Sequence, residues 1–77
     1  MKEKNQTTVN TALLKSQMLL AKVTSNDLAE KLGLSRSTIS FKLNGKSDFT
    51  IGEVAKIQRI LGFDDLTRDK IFFAKEV

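Results

Sequence analysis

Apolar residues recur every three or four positions along most of the chain, which is the spacing of helices that bury one face. Between these stretches stand hydroxyl or acidic residues that can cap a helix N-terminus, and glycines that can end a helix. No segment alternates between apolar and polar residues with the period of two that a half-buried strand requires. The pattern therefore predicts an all-α fold of five short helices.

The first two predicted helices follow from an apolar stripe and a capping box. The first helix runs over residues 9–21, and its inner stripe consists of Leu13, Leu14, Met18 and Ala21. Thr24 and Asp27 form the capping box, in which the hydroxyl and the carboxylate each accept a hydrogen bond from the other residue's amide. The second helix starts there and ends at Gly33. Its predicted buried face consists of Leu28, Ala29 and Leu32.

The last two predicted helices have start signals of the same kind. Thr50 and Glu53 form a second capping box, and the helix that begins there ends at Gly62. Its predicted buried residues are Ile51, Val54, Ile57 and Leu61, and its predicted outward residues are Glu53, Lys56 and Arg59. Asp64 or Asp65 opens the final helix, which carries Ile71, Phe72 and Phe73.

The third helix, which follows Ser35, indicates the function through its junction with the second. Two helices of about eight residues joined by a short turn that contains glycine form a helix-turn-helix. At 100° per residue, Ile39 and Leu43 face the core of the protein, whereas Ser37 and Phe41 face away from it. The outward face is small, hydroxyl-rich and uncharged. A helix of this kind fits the major groove of B-DNA.

The distribution of charge singles out the same segment. The chain has a net charge of +4, from 13 basic and 9 acidic residues. Residues 31–46 carry this whole excess, because they contain no acidic side chain and the rest of the chain is neutral overall. The basic residues of the segment are Lys31, Arg36, Lys42 and Lys46. A basic stripe of this kind attracts a polyanion such as DNA.

The composition argues against catalysis. The chain has no cysteine and no histidine, so it lacks a thiolate nucleophile, a disulfide framework, and the commonest general base and metal ligand. Its carboxylates form no recognisable catalytic pair. We therefore expect a protein that is not an enzyme and that uses no cofactor, no metal and no small-molecule ligand.

The chain also lacks the marks of a membrane or secreted protein. No apolar run approaches the roughly 18–20 residues of a membrane span. Residues 1–8 are polar and do not resemble a signal peptide. The sequence predicts a soluble, cytoplasmic protein without a membrane partner, with a flexible lead over residues 1–8 and a single domain over residues 9–77. The alternative for the lead is an arm that follows DNA.

The string from Val23 to Ser40, continued by Leu43-Asn44-Gly45-Lys46, is similar to the lambda-repressor/Cro-like helix-turn-helix family, also called the XRE family. The resemblance covers most of residues 9–63, and residues 43–50 look like those of small regulators from Gram-positive prophages and mobile elements. It implies a sequence-specific transcriptional regulator that binds a double-stranded DNA operator, with recognition helix 36–44 in the major groove. It also implies a homodimer on paired half-sites. The short chain resembles a Cro-like regulator more than a full-length repressor.

The resemblance also implies roles for individual residues. The residues expected to contact bases are Arg36, Ser37, Thr38 and Phe41. The residues of the family pattern expected to contact phosphates are Ser25, Lys42, Asn44 and Lys46. Helix geometry adds Ser40, on the flank of the third helix, and Asn26, whose free amide lies at the start of the second helix. Two alternatives stay open: Arg36 could bind a phosphate, and Phe41 could pack against Phe49 in the core instead of against a thymine methyl group.

Two departures from the family pattern carry structural expectations. Lys22 stands where glycine is common, so we expect a left-handed backbone there. Met18 and Leu43 stand where many members have an arginine and a glutamate, so an apolar contact should replace a salt bridge. Such replacements are often neutral or stabilising, because burying an ion pair requires costly desolvation.

The apolar residues near the C-terminus leave two interpretations. Ile71 and Phe72 could form a dimer contact, or they could fold back onto the first and fourth helices. A different class of function would also use this region. In that alternative, the chain is a protein-interaction module, like an antirepressor or antitoxin, that docks through Ile71, Phe72 and Phe73.

Overall fold

The computed structural model describes residues 9–73, and in this range the protein is built of helices without a strand. The helices are α1 (Thr11–Ala21), α2 (Ser25–Leu32), α3 (Arg36–Leu43), α4 (Ile51–Leu61) and α5 (Asp65–Arg68). A π-helical turn, Asp69–Phe73, continues α5. The all-α fold of five helices is thereby confirmed. Residues 1–8 and 74–77, and with them the predicted N-terminal lead, lie outside the described range.

The predicted capping boxes start α2 and α4. Thr24 Oγ1 accepts the amide of Asp27 at 3.1 Å, and the Asp27 carboxylate accepts the amide of Thr24 at 3.1 Å. Thr50 and Glu53 exchange the same two hydrogen bonds at 3.1 and 2.9 Å. Caps of this kind contribute about 0.5–2 kcal/mol each. The borders of these helices are therefore determined locally, by residues within one turn of each start.

Helix α1 begins two residues later than the apolar pattern suggested. The Asn10 side chain accepts the amide of Leu13 at 3.1 Å and caps the helix, so Thr11 is its first residue. At its other end, Lys22 adopts the left-handed conformation with φ 60°, as expected from its glycine-like position. A side chain in this region has a strain energy of about 1–2 kcal/mol.

The core takes one fully buried side chain from every major segment. These residues are Leu14, Leu28, Ile39, Ile57 and Ile71. They come from α1, α2, α3, α4 and the π-helical turn in that order. Burial of each such side chain stabilises the fold by about 1.5–3 kcal/mol. The last segment is thus an integral part of the core.

Two predictions about α4 are wrong. Ile51 is 78% exposed, because it lies one turn before Val54 and so falls beyond the edge of the core. Glu53 does not point outward into solvent. It pairs with Lys42 of α3, and its side chain is only 17% exposed.

The predicted dimer contact through Ile71 and Phe72 is also wrong, because both side chains are buried within the same chain. The Phe72 ring packs edge-on against Phe49, with centroids 5.6 Å apart. The amide of Asn10 donates to the carbonyl of Ile71 at 2.6 Å, which attaches the last segment to the start of α1. The alternative, in which the C-terminal residues fold back onto the body, is correct. A domain this small needs these large side chains to complete its core.

None of the helices in the described range is both long and apolar enough to cross a membrane.

Candidate nucleic-acid interface

One face of α3 is exposed along its whole length. Ser37, Ser40, Phe41 and Asn44 are exposed and stand at the three- and four-residue spacing of a single helical face. The opposite side of the helix buries Ile39 and Leu43 in the core. The structure therefore brings these four sequence-predicted site residues together on one surface.

The start of α3 presents Arg36 and orders Thr38. Arg36 is exposed at the first position of the helix. Ser35 caps the helix by accepting the amide of Thr38 at 3.1 Å, and the Ser35 hydroxyl donates to Thr38 Oγ1 at 2.8 Å. Thr38 is half-buried, and its own hydroxyl hydrogen is still available for an acceptor.

The other end of the face is formed by Phe41 and Lys46. Phe41 is 57% exposed, and the Lys46 ammonium lies 6.0 Å from the centre of its ring. The Lys46 amide donates to the Phe41 carbonyl at 2.9 Å, which fixes the chain as it leaves the helix. The Phe49 ring packs against Phe72 and not against Phe41. The core alternative for Phe41 is therefore wrong, and its contact with a thymine methyl group stays a prediction.

Lys42 lies inside the protein and not on its DNA-facing surface. The residue is 8% exposed, and its Nζ donates to Glu53 Oε1 and to the carbonyl of Asp48, both at 2.9 Å. Burial would raise the pKa of Glu53, but hydrogen bonds from Lys42 and Thr50 outweigh it and hold that pKa below its ordinary value. The aliphatic stem of a lysine on the flank of a helix can be buried when its ammonium finds a partner. The expectation that Lys42 is an exposed phosphate ligand is corrected accordingly.

A cation that sequence reasoning missed stands beside the same face. Lys15 of α1 is exposed, and its Nζ donates to Asn44 Oδ1 at 3.3 Å. The Asn44 amide in turn approaches Ser40 Oγ at 3.5 Å. Lys15 is 29 positions from Asn44 in the chain, and the sequence pattern of α1 does not predict this neighbour.

The N-terminus of α2 forms a second exposed patch, with Ser25 and Asn26 at its first two positions. Thr24 accepts the amide of Asp27 with its hydroxyl and the amide of Leu28 with its carbonyl. The amides of Ser25 and Asn26 precede the first intrahelical hydrogen bond and point out of the helix end. This geometry suits a phosphate oxygen.

A comparison with protein families finds that a helix-turn-helix model matches residues 14–65, about two thirds of the chain. The chain belongs to the lambda-repressor-like helix-turn-helix family. The match spans most of α1, the whole of α2, α3 and α4, and the start of α5. A comparison with curated proteins finds no match.

The family is a DNA-binding regulatory family and not a family of enzymes. The chain is accordingly a DNA-binding helix-turn-helix regulator. In this regulator, α3 is in the position of the second helix of the motif, and α2 packs directly against it. Among residues 9–73, no group of three or more carboxylates could hold a metal ion.

The positions for which the family resemblance implies an ion pair are occupied here by Met18 and Leu43. The two side chains are 6% and 4% exposed, and both line one apolar depression between α1, α2 and α3. The structure thus places an apolar pair where the resemblance implies that relatives use an ion pair. The same depression is also lined by Ser25 at the start of α2.

Proposed function

We propose that the chain is a sequence-specific transcriptional regulator of the Cro or repressor kind, which inserts α3 into the major groove of a double-stranded DNA operator. The observation that carries the proposal is the exposed face of Ser37, Ser40, Phe41 and Asn44. Helix α3 contains no acidic residue, so nothing on it repels the phosphate backbone.

Each part of this surface suits one component of DNA recognition. An exposed arginine such as Arg36 can donate two hydrogen bonds to a guanine, and Ser37 and Thr38 can bond a base edge from the same turn. Phe41 offers an apolar ring for a thymine methyl group. These contacts supply specificity, because they depend on which base pair is present.

The proposed phosphate contacts form a second set of residues, which lie around the proposed base contacts. Lys46 follows the C-terminal end of α3, and Lys15 adds a cation beside Asn44. Ser25 and Asn26 offer the free amides at the start of α2. Lys42 is left out of this set, because Glu53 already pairs with its charge.

We also propose that the regulator binds as a homodimer on half-sites separated by about one helical turn. The buried Ile71 and Phe72 are not its contact. An exposed apolar surface is available at Ile51 and Phe73, which are 78% and 47% exposed and line one groove between α4 and the C-terminal segment. Contiguous exposed apolar surface is a feature of protein association sites.

The same groove favours one second candidate function, a protein-interaction module that docks a different chain. Phe73 would then contact that chain together with Ile51, in place of the buried Ile71 and Phe72. This module would not need the exposed, hydroxyl-bearing face of α3.

Selection of duplexes from a random library by the full chain, followed by titration of the selected duplex at several salt concentrations, tests the proposal. With two or three cationic contacts per protomer, the logarithm of affinity should fall with the logarithm of salt at a slope of about −2 to −3 per protomer. Arg36→Ala should relax base preference at one position, whereas Lys46→Ala should weaken selected and scrambled duplexes alike. No DNA affinity at low salt, together with stoichiometric binding of a protein partner, would favour the interaction module instead.

A further inference from the structure

Lys42 joins three segments of the chain through one ammonium group. The side chain is 11% exposed, and that of its partner Glu53 is 17% exposed. Its Nζ donates to Glu53 Oε1 in the first turn of α4 and to the carbonyl of Asp48 in the preceding loop, at 2.9 Å in each case. The Lys42 ammonium therefore connects the last turn of α3, the loop over residues 44–50 and the start of α4.

The partner carboxylate is itself fixed. Glu53 Oε1 accepts the amide of Thr50 at 2.9 Å as part of the capping box of α4. The Phe49 ring lies 5.7 Å from Lys42 Nζ and packs against the buried Phe72. The ammonium is thus held by groups that are anchored to the core, and not by mobile surface side chains.

The loop that these contacts close carries part of the proposed DNA-binding surface. The Lys46 amide donates to the Phe41 carbonyl at 2.9 Å, and Gly45 turns the chain between them with φ 78°. Phe41 directly precedes Lys42, and Asn44 follows it by two positions. A change in the position of Lys42 would therefore displace the residues proposed to meet the DNA at this end of α3.

We infer that Lys42 is a positioning residue for operator recognition. Its ion pair with Glu53 and its hydrogen bond to the Asp48 carbonyl hold the end of α3 and the following loop in the arrangement that fits the DNA. Lys42 acts through Phe41 and Lys46 and does not touch the DNA itself. The inference rests on the proposed function and deepens it.

Glu53 distinguishes this role from that of a phosphate ligand. If Lys42 bound a phosphate, loss of Glu53 would release the cation and remove a nearby negative charge, so DNA binding would tighten. If Lys42 is a positioning residue, loss of either partner breaks the same attachment. The two substitutions should then act in the same direction, and their combination should add little.

The test uses the full chain and two duplexes, the one that the wild-type protein selects from a random library and a scrambled duplex of equal composition. Fluorescence anisotropy gives the Kd of each duplex for the wild type, Lys42→Met, Glu53→Gln and the double variant. Methionine retains the length of the buried stem, and glutamine retains an oxygen for the Thr50 amide. Lys56→Met and Glu30→Gln serve as matched controls, because they remove the same charges from exposed positions on α4 and α2.

We expect the Kd of the scrambled duplex divided by that of the selected duplex to fall about tenfold in Lys42→Met, since one set of base contacts is lost. It should fall by a smaller factor in Glu53→Gln, which keeps an oxygen for the Lys42 ammonium, and the double variant should fall no further than Lys42→Met. The Kd of the scrambled duplex should change less than about twofold, because the exposed cations remain. Hydrogen exchange at the Lys46 amide should become faster in both single variants without DNA. Both control variants should keep the wild-type ratio and exchange rate.

Other outcomes overturn the inference. Weaker binding of both duplexes by Lys42→Met, with tighter binding of both by Glu53→Gln, would make Lys42 a phosphate ligand. If the wild type is selective and both single variants keep its Kd ratio, the Lys42–Glu53 ion pair stabilises the fold but does not position the DNA-binding residues. If the wild-type chain selects no duplex, the proposed function itself fails, and the positioning role fails with it.

Discussion

The backbone amide of Asn10 donates to the carbonyl of Ile71 at 2.6 Å, joining the start of α1 to the π-helical turn that ends the described chain. The Ile71 side chain is fully buried. This hydrogen bond joins the two ends of the described chain, which are far apart in the sequence. The C-terminal segment thereby stabilises the domain that presents α3.

We predict that Ile71→Ala lowers the free energy of unfolding by about 2–5 kcal/mol, because it removes buried methyl and methylene groups and leaves a cavity. Thermal or urea unfolding followed by circular dichroism measures this loss. Leu66→Ala is the control, since Leu66 lies nearby in sequence but is 65% exposed. Equal effects of the two substitutions would contradict the core position of Ile71.

Lys22 gives a prediction of the opposite sign. It is the one residue other than glycine with a positive φ in the described range, at 60°. Lys22→Gly should raise the free energy of unfolding by about 0.5–1 kcal/mol, since relief of strain exceeds the added freedom of the unfolded chain.

Lys31→Gly is the matched control for this variant. Lys31 is exposed in the last turn of α2, where the backbone is helical. Glycine there should be destabilising by about 1 kcal/mol. A loss of stability in both variants, measured by urea unfolding, would show that the left-handed conformation of Lys22 is not strained.

Acid should destabilise the fold through carboxylates that form caps. The pKa of Glu53 lies below its ordinary value because hydrogen bonds from Lys42 and Thr50 outweigh burial, and that of Asp64 is lowered by hydrogen bonds from Thr67. Since each pKa is lower in the folded state, the stabilisation is complete above the unfolded pKa values. It is lost as the pH falls through the folded values. The free energy of unfolding should therefore decrease below about pH 5, in the range where such carboxyls titrate.

Two variants separate these contributions. Asp64→Asn keeps an oxygen that can accept the Thr67 amide, so it should retain most of the stability and lose its share of the pH dependence. Glu53→Gln should flatten the profile further, and the two effects should add because the sites share no partner. Urea unfolding over a series of pH values gives the profiles. A wild-type slope in both variants would assign the acid sensitivity to other groups.

The sequence predicts those features that depend on residues within one turn of each other. The capping boxes and the glycine at the helix-turn-helix junction are of this kind, whereas the left-handed Lys22 is implied by the resemblance to the family. Lys15 beside Asn44 and the pairing of Lys42 with Glu53 depend on how helices pack, and periodicity alone does not determine such neighbours. Periodicity also predicts too much burial at Ile51, because the apolar stripe of α4 extends beyond the edge of the core.

Phe41 provides a test of base recognition at a single methyl group. If its exposed ring packs against a thymine, replacement of that thymine by uracil in the selected duplex should weaken wild-type binding about fourfold, the effect of one buried methyl group at about 0.8 kcal/mol. In Phe41→Ala the same replacement should have almost no effect, because the ring that contacts the methyl is absent. Anisotropy titrations of both proteins with both duplexes complete the cycle, and a thymine outside the half-site serves as the control. Equal losses for the wild type and Phe41→Ala at every thymine would mean that Phe41 does not contact a base methyl.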